Sequence, residues 1–329
     1  MTSPTGAWHG EAFAHEAFFY DEDAQAVTRC VPFVLEAFDR GEDVIVVVGE
    51  RVRQALAEAL GGDVARIAVL DVPGRWCEGG FGALQAYDRD VQGQLSGDRR
   101  PWRLVVEPTW LTLPGGRVWS RFEAVVNDCY GALPYYSLCL HDSRTMGADL
   151  IDAVLQTHPL TWDGSAPTTS VGYLPTADYL RSVEPEWTPR PASARTVPVI
   201  SARRAREVVT EVAQAHGANG RTDDMVVAVN ELVANALRAA GQAELSAWTA
   251  GPTLVWEVAD NGPGLHDVTA GYVPPHDDLE SGRGLWLARS LADDATVRPH
   301  GPGTAIRLYF DRHDVAKAGS APAMAHGLP

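Results

Sequence analysis

Short apolar runs alternate with longer amphipathic segments from His15 to about Gln156. The runs predict strands at 17–20, 44–48, 66–71, 103–107 and 135–141, and the segments predict helices at 23–40, 51–60, 81–95, 119–130 and 148–155. Residues 44–48 are apolar at every position, which is typical of a central parallel strand covered on both faces. The alternation therefore predicts an α/β domain with a doubly wound parallel sheet.

A proline-rich stretch separates this domain from a second one. Seven prolines interrupt residues 157–198, so the stretch is interpreted as a linker. Beyond it, Ser201 and Thr222 are predicted to cap two helices. Strands at 243–249 and 254–260, a helix at 284–291 and strands at 295–298 and 304–310 follow. The expected organisation is a first domain at 12–157, a linker at 158–199, a second domain at 200–311 and a flexible tail at 312–329.

Composition narrows the classes of function. The chain has 329 residues, which suits about two domains, and its net charge of −16 argues against nucleic acid or anionic lipid as a partner. Its only lysine is Lys317, so a Walker-type phosphate loop has no lysine to use. The four cysteines show no C-x-x-C spacing. Neither a signal peptide nor a membrane span is predicted, and a cytoplasmic location is expected.

One predicted helix, from Thr222 to about Ala240, carries a polar stripe. Glu231, Asn235 and Arg238 share this stripe, and apolar residues occupy the opposite one. A carboxylate can accept a proton and an amide oxygen can coordinate magnesium, so the pair suits a general base beside a metal ligand. An ordinary solvated helix face would show the same periodicity, and this pattern alone leaves both interpretations open.

Three glycine motifs follow this helix. They close one strand, open one helix and precede the last strand: Asp260-x-Gly262-x-Gly264, Gly282-x-Gly284 and Gly303-Thr304. Glycines at a helix start let backbone N–H groups approach a phosphate at the positive end of the helix dipole. A carboxylate at a strand end can accept a hydrogen bond from an exocyclic amine such as that of adenine. This order of elements favours a nucleotide site.

Together with Glu231-x-x-x-Asn235, these motifs resemble the N, G1, G2 and G3 boxes of the GHKL, or Bergerat-fold, ATP-binding superfamily over about residues 200–311. The resemblance implies an α/β-sandwich, with ATP and Mg2+ as cofactors. It is greatest to the anti-sigma factor serine kinases of the RsbW type. By this resemblance, Glu231 of this chain would be the general base, Asn235 the magnesium ligand and Asp260 the adenine contact. The base pocket, lid and phosphate cradle would be shaped by Gly262, Gly264, Gly282, Gly284, Gly303 and Thr304.

Two departures from the family bear on catalysis. Many anti-sigma kinases have a histidine four residues after the asparagine, where this chain has Ala239, and an acidic-basic pair where it has Leu279-Glu280. Two hypotheses therefore stay open: a serine/threonine protein kinase, and a non-catalytic module that holds its partner by nucleotide-gated contact. Sensor histidine kinases share the ATP fold, but the only His-Glu pair, His15-Glu16, lies far before the boxes. That class is rejected.

The first domain is similar to the MEDS (DcmR-type) sensory domain over about residues 12–157. The similarity rests on short runs at 15–20, 31–34, 41–44, 103–107, 121–123 and 139–142. It implies a RecA-like sheet without a phosphate loop, and it suggests that His15 and Cys139 help to sense a small organic ligand. Cys139 and His141 share one strand face and with His15 suit a metal site, but the sequence offers no fourth ligand at a usable spacing. A structural histidine and a buried cysteine remain the default interpretation.

The two resemblances imply a regulator of transcription in which a sensory domain controls an ATP-binding anti-sigma factor. The implied partners are a sigma factor and a STAS-type anti-anti-sigma protein, phosphorylated on serine or threonine if the kinase hypothesis holds. Resemblance to anti-sigma kinases also favours a homodimer.

Overall fold

In the computed structural model, the chain divides into two compact units, with the main boundary between residues 186 and 187. The structure describes residues 12–70, 100–112, 116–184, 187–272 and 283–311, together with residues 8, 10 and 93. The predicted helix at 81–95, Leu279-Glu280, Gly282 and the predicted tail fall outside these residues, apart from Gly93. Among the helices it describes, none is both long and apolar enough to cross a bilayer.

The first unit is built on a seven-stranded sheet with the order β3-β2-β4-β5-β1-β6-β7. All neighbouring strands are parallel except β6 and β7. The strands are β1 (Ala14–Tyr20), β2 (Asp43–Val47), β3 (Ala68–Val69), β4 (Trp102–Val106), β5 (Tyr135–Asp142), β6 (Leu160–Trp162) and β7 (Pro167–Thr169). Its helices within the described residues include α1 (Asp23–Arg40), α2 (Glu50–Leu60), α3 (Gly116–Cys129), α4 (Ala148–Thr157) and α5 (Thr176–Ser182).

Two hydrophobic cores cover the two faces of this sheet. In β2, Ile45 belongs to the core formed with α3 and α4, and Val46 belongs to the core formed with α1 and α2. In β4, Leu104 belongs to the core with α3 and α4, and Val105 belongs to the core with α1 and α2. Successive side chains of a strand point to opposite faces, so a strand covered on both sides is apolar throughout. The predicted doubly wound α/β fold is confirmed.

The buried side chain of Arg103 on β4 forms ion pairs with α1 and with the turn that follows it. Arg103 donates to Glu42 at 2.6 Å and to Glu36 at 3.0 Å, and only 2% of its side chain is exposed. Arg103 does not pair with Glu107, which lies four residues further along the chain. Two residues four apart on a strand are separated by about 13 Å, since the rise is about 3.3 Å per residue. Glu107 instead accepts from the Tyr20 hydroxyl at 2.6 Å.

The proline-rich segment carries several secondary-structure elements. Strand β6 extends the first sheet beside β1, and helix α5 is fixed by a hydrogen bond from the Thr176 hydroxyl to the Ala124 carbonyl at 2.8 Å. The prolines occupy positions that need no backbone N–H: Pro175 precedes α5, and Pro167 begins the edge strand β7. The prolines were expected to interrupt helices repeatedly, and the elements that form between them are short.

The second unit is a five-stranded antiparallel sheet with the order β11-β12-β10-β9-β8. Its strands are β8 (Arg195–Val199), β9 (Ala243–Ala250), β10 (Thr253–Ala259), β11 (Asp294–His300) and β12 (Gly303–Asp311). Helix α7 (Thr222–Ala240) packs on β9, β10 and β12, and α6 (Ala202–Ala215) and α8 (Arg283–Leu291) pack against α7. The expected α/β-sandwich is confirmed.

The predicted helix caps of this unit have different outcomes. The Ser201 side chain accepts a hydrogen bond from the backbone N–H of Arg204 and caps α6, as predicted. Thr222 is the first residue of α7, and Arg221 stands at the cap, so that prediction is wrong by one position. The Thr222 hydroxyl points back to the Ala218 carbonyl at 3.4 Å, which removes it from a capping role.

Candidate nucleotide and sensory sites

Helix α7 presents Glu231 and Asn235 on its half-buried side. Its opposite stripe is buried, as the apolar periodicity predicts, and consists of Met225, Ala228, Val229, Leu232, Val233 and Ala236. Packing of this apolar stripe fixes the rotation of the helix, so the carboxylate and the amide are held on the side away from the core.

Gly284, the second residue of α8, lies directly against these two side chains. A Cβ at this position would be 2.8 Å from Glu231 Oε2 and 3.2 Å from Asn235 Nδ2. A larger residue here would have to displace the Glu231 carboxylate. The first turn of α8, with its unsatisfied backbone N–H groups, therefore meets the polar stripe of α7.

The loop after β10 closes on the end of α7. A Cβ on Gly262 would lie 2.8 Å from the Ala239 Cβ, and the Gly262 N–H donates to Asp260 Oδ1 at 2.8 Å. The Asp260 side chain thus fixes its own loop. Ala239, the departure noted in the sequence, lies at this contact.

The start of β12 anchors the same loop from the other side. The Thr304 hydroxyl accepts from the Leu265 N–H at 2.9 Å, and the Thr304 carbonyl accepts from the Asp260 N–H at 2.9 Å. A Cβ on Gly303 would overlap the Asp260 carbonyl and lie 2.8 Å from the Asn261 Cα. Gly264 has a φ of 82°, in the left-handed region that favours glycine. Glycine is therefore required by close approach at 303 and by conformation at 264.

Asn235 already has a partner. Arg238, one turn further along α7, donates to its side-chain oxygen Oδ1. Arg238 is exposed, so it can move away at little cost. Ligation of a cation by Asn235 requires this movement.

These residues fit a magnesium nucleotide. The amide and carboxylate oxygens of Asn235 and Glu231 are of the type that Mg2+ prefers, and the space beside Gly284 lies at a helix N-terminus suited to phosphate. The structure brings Glu231, Asn235 and Gly284 together, and it links Asp260, Gly262, Gly264, Gly303 and Thr304 into one loop system. Gly282 lies outside the described residues.

In the first unit, His15 and Cys139 lie close together, but two residues that the sequence analysis did not select lie with them. His15, Glu123, Cys139 and His158 are all buried, and one potential ligand atom from each lies within 4.8 Å of the others. We call these four residues the buried cluster. His141 is a near neighbour, since its ring centroid lies 5.3 Å from that of His158.

A small cavity opens beside this region at the carboxyl ends of β4 and β5. Its volume is about 210 Å³, and Glu107, His141 and Asp142 are among its lining residues. The carboxyl ends of parallel strands are the usual place for a ligand in such sheets. A cavity of this size suits a small organic molecule about as large as benzene or slightly larger.

Comparisons with known proteins find one family match within each of the two units. Residues 14–159 match the family described as MEDS, the methanogen/methylotroph DcmR sensory domain, and residues 198–310 match the histidine kinase-like ATPase domain. Each of the two units thus matches a different family model, the first unit the MEDS domain and the second unit the histidine kinase-like ATPase domain.

One solved structure that is similar contains the RsbU and RsbW domains of Rv1364c from Mycobacterium tuberculosis. The identity is 22% and the TM-score is 0.27. The match covers 36% of this chain and 32% of that one, so the chain spans about a third of that neighbour's length. No curated protein matches the chain.

Proposed function

We propose that the second domain binds Mg-ATP and transfers the γ-phosphoryl group to a serine or threonine of a STAS-type anti-anti-sigma protein, and that the chain also binds a sigma factor. The observation that carries this proposal is the close approach of Gly284 to Glu231 and Asn235, which brings a candidate base and a candidate metal ligand to a helix N-terminus. The match to an ATPase family and the box motifs of the sequence support it.

In this mechanism each group of the chain has a separate task. Asn235 would hold Mg2+, which supplies positive charge to the phosphate oxygens. Backbone N–H groups at the start of α8 would hold the phosphates. Glu231 would orient the attacking hydroxyl and accept its proton as the oxygen bonds to phosphorus and ADP departs. Asp260 would accept a hydrogen bond from the adenine amine.

Two variants separate binding from transfer. We expect Glu231→Gln to reduce phosphoryl transfer by about 100-fold or more, because a general base contributes roughly 10²–10⁴, while affinity for Mg-ADP stays near that of the wild type. Asn235→Ala should lose magnesium-dependent nucleotide binding. Calorimetry measures binding, and labelled ATP with a candidate STAS protein measures transfer.

The matched control is Asn230→Ala. Asn230 lies on the same helix and is also half-buried, but it accepts from Arg206 at 3.1 Å and lies outside the polar stripe of the site. This variant should bind and transfer as the wild type does. Equal loss of nucleotide affinity and transfer in Glu231→Gln would refute the role of Glu231 as base.

A second candidate function is supported by Ala239 and by the bond from Arg238 to Asn235. In this alternative the domain binds nucleotide and holds its partner without transferring phosphate. The same mixture distinguishes the two, because a non-catalytic module leaves no phosphoserine on the partner.

The first domain would act as the sensor of this regulator. We expect a small organic ligand bound there, near His15 and Cys139, to change nucleotide affinity or partner binding of the full chain. A ligand that changed neither would contradict coupling. The protein is expected to be a cytoplasmic homodimer, and light scattering of the purified chain tests its oligomeric state.

A further inference from the structure

The buried cluster joins four separate parts of the first domain. His15 lies on β1, Glu123 on α3, Cys139 on β5, and His158 directly follows α4. Glu123 Oε2 lies 3.4 Å from His15 Nε2 and 3.9 Å from His158 Nε2. None of the four side chains is more than 8% exposed. The residues that converge here are thus of the types that bind transition metals.

Hydrogen bonds determine which nitrogen of His15 carries its proton. The Asn127 amide nitrogen donates to three backbone carbonyls, at 2.7 to 3.2 Å, so its oxygen Oδ1 is the atom that faces His15. This oxygen can only accept, and it lies 3.1 Å from His15 Nδ1. In the neutral ring the proton is therefore on Nδ1, and the lone pair of Nε2 points to Glu123.

The same reasoning applies to His158. Its Nδ1 lies 2.9 Å from the Val154 carbonyl, which can only accept, so Nδ1 carries the proton. Within the described part of the chain, Nε2 of His158 has no hydrogen-bond partner. Burial lowers the pKa of His15 to about 4 and that of His158 to about 3, which keeps both rings neutral near pH 7.

Two lone pairs and a carboxyl group thus face one another among buried side chains. An acceptor without a donor in such a place is costly, and the nearby thiol of Cys139 adds at most one proton. A protonated Glu123 could donate to one of these lone pairs, since burial raises the pKa of this carboxyl. Alternatively, a cation bound by all four side chains would satisfy every acceptor at once.

We propose that His15, Glu123, Cys139 and His158 form a tetrahedral site for a divalent transition metal, with Zn2+ as the ion that the donor set fits best. In a tetrahedral site with one sulfur, zinc bonds of about 2.0–2.3 Å place neighbouring ligand atoms about 3.3–3.6 Å apart, and both distances to Glu123 lie close to this range. Binding requires the thiol proton of Cys139 to leave to solvent. Asn127 and the Val154 carbonyl act as outer partners that orient the two imidazoles.

Four protein ligands close the coordination sphere, so the site would hold a metal rather than activate water. It would join β1, β5, α3 and the end of α4. The proposal concerns the first domain alone and does not depend on kinase activity.

The test uses the full chain without an affinity tag, purified without chelator. We expect about one equivalent of zinc by elemental mass spectrometry, and the metal-free protein should bind Co2+ with the visible bands of a tetrahedral site and a thiolate-to-metal charge-transfer band. Cys139→Ser should lose the charge-transfer band. Glu123→Gln should weaken Co2+ binding more than tenfold.

The matched control is Cys30→Ser, because Cys30 is equally buried but lies in the other core of the same domain. It should retain the wild-type spectrum. Wild-type protein without zinc and without a cobalt-thiolate band would overturn the proposal, whether or not the variants fold. An unchanged band in a folded Cys139→Ser variant would overturn it as well.

Discussion

Replacing Gly303 by alanine tests how tightly the loop after β10 packs against the start of β12. A Cβ at this position would overlap the Asp260 carbonyl oxygen and lie 2.6 Å from its carbonyl carbon. Ordinary contacts of a Cβ begin at 3.4 Å, so the loop or the strand must move by more than 1 Å to clear the carbonyl oxygen. Because the obstacle is backbone, rotation of a side chain cannot relieve it.

The expected loss follows from two effects. Overpacking costs about 1–3 kcal/mol, and weakening of the hydrogen bond from the Asp260 N–H to the Thr304 carbonyl adds about 1 kcal/mol. A total of about 3 kcal/mol corresponds to a fall in midpoint of roughly 10 °C for a domain of this size. Mg-ADP affinity should fall with it, since the same loop carries Asp260.

The control is Gly241→Ala. Gly241 has a φ of 73°, and nothing lies within 4 Å of its would-be Cβ, so this change introduces backbone strain of about 1–2 kcal/mol without a clash. Scanning calorimetry of the full chain compares the two. If Gly303→Ala destabilises the protein less than Gly241→Ala, the argument from close approach is wrong.

Three further predictions concern single groups. Gly284→Ala places a methyl group 2.8 Å from Glu231 Oε2, a movable side-chain end, so we expect stability within about 1 kcal/mol of wild type but at least tenfold slower transfer. Arg103→Met leaves Glu42 buried without its partner and should cost about 3–5 kcal/mol in denaturant unfolding, whereas the exposed Arg53→Met should cost under about 1 kcal/mol. Metal-free protein should lose stability as pH falls from about 6.5 towards 4. The pKa values of His15 and His158 are lowered in the folded protein, so over this range both rings are neutral when the protein is folded and protonated when it is unfolded. Each contributes about 1.4 kcal/mol per pH unit, partly offset by the carboxyl whose pKa is raised, and a flat profile in chelator would contradict this.

The candidate nucleotide site could be outlined from the sequence because its parts are local. Glu231 and Asn235 are one helical turn apart, and the apolar stripe behind them sets their direction. The glycine motifs mark where strands and a helix begin or end. Pattern alone could not show that Gly284 contacts Glu231, since the approach of α8 to α7 is a tertiary feature.

The buried cluster was only half predicted. His15 and Cys139 lie on neighbouring parallel strands, where Ala17 is the register partner of Cys139. Glu123 lies on α3 and His158 directly follows α4, and the periodicity of the chain does not predict which helices pack over that part of the sheet. A usable signal did exist, because Glu123 and Asn127 are polar residues four apart on a helix that is otherwise mostly apolar.

The two sites differ in how a bound group could leave. Glu231 and Asn235 are half-buried, and the bond from exposed Arg238 to Asn235 can be exchanged without opening a core. That arrangement suits a nucleotide which enters and departs in each cycle. His15 and His158 are at most 3% exposed and their lone pairs point into the interior, so a metal held there could leave only when α3 or α4 moves off the sheet. Exchange at the buried cluster should therefore follow opening of the first domain, whereas nucleotide exchange should not.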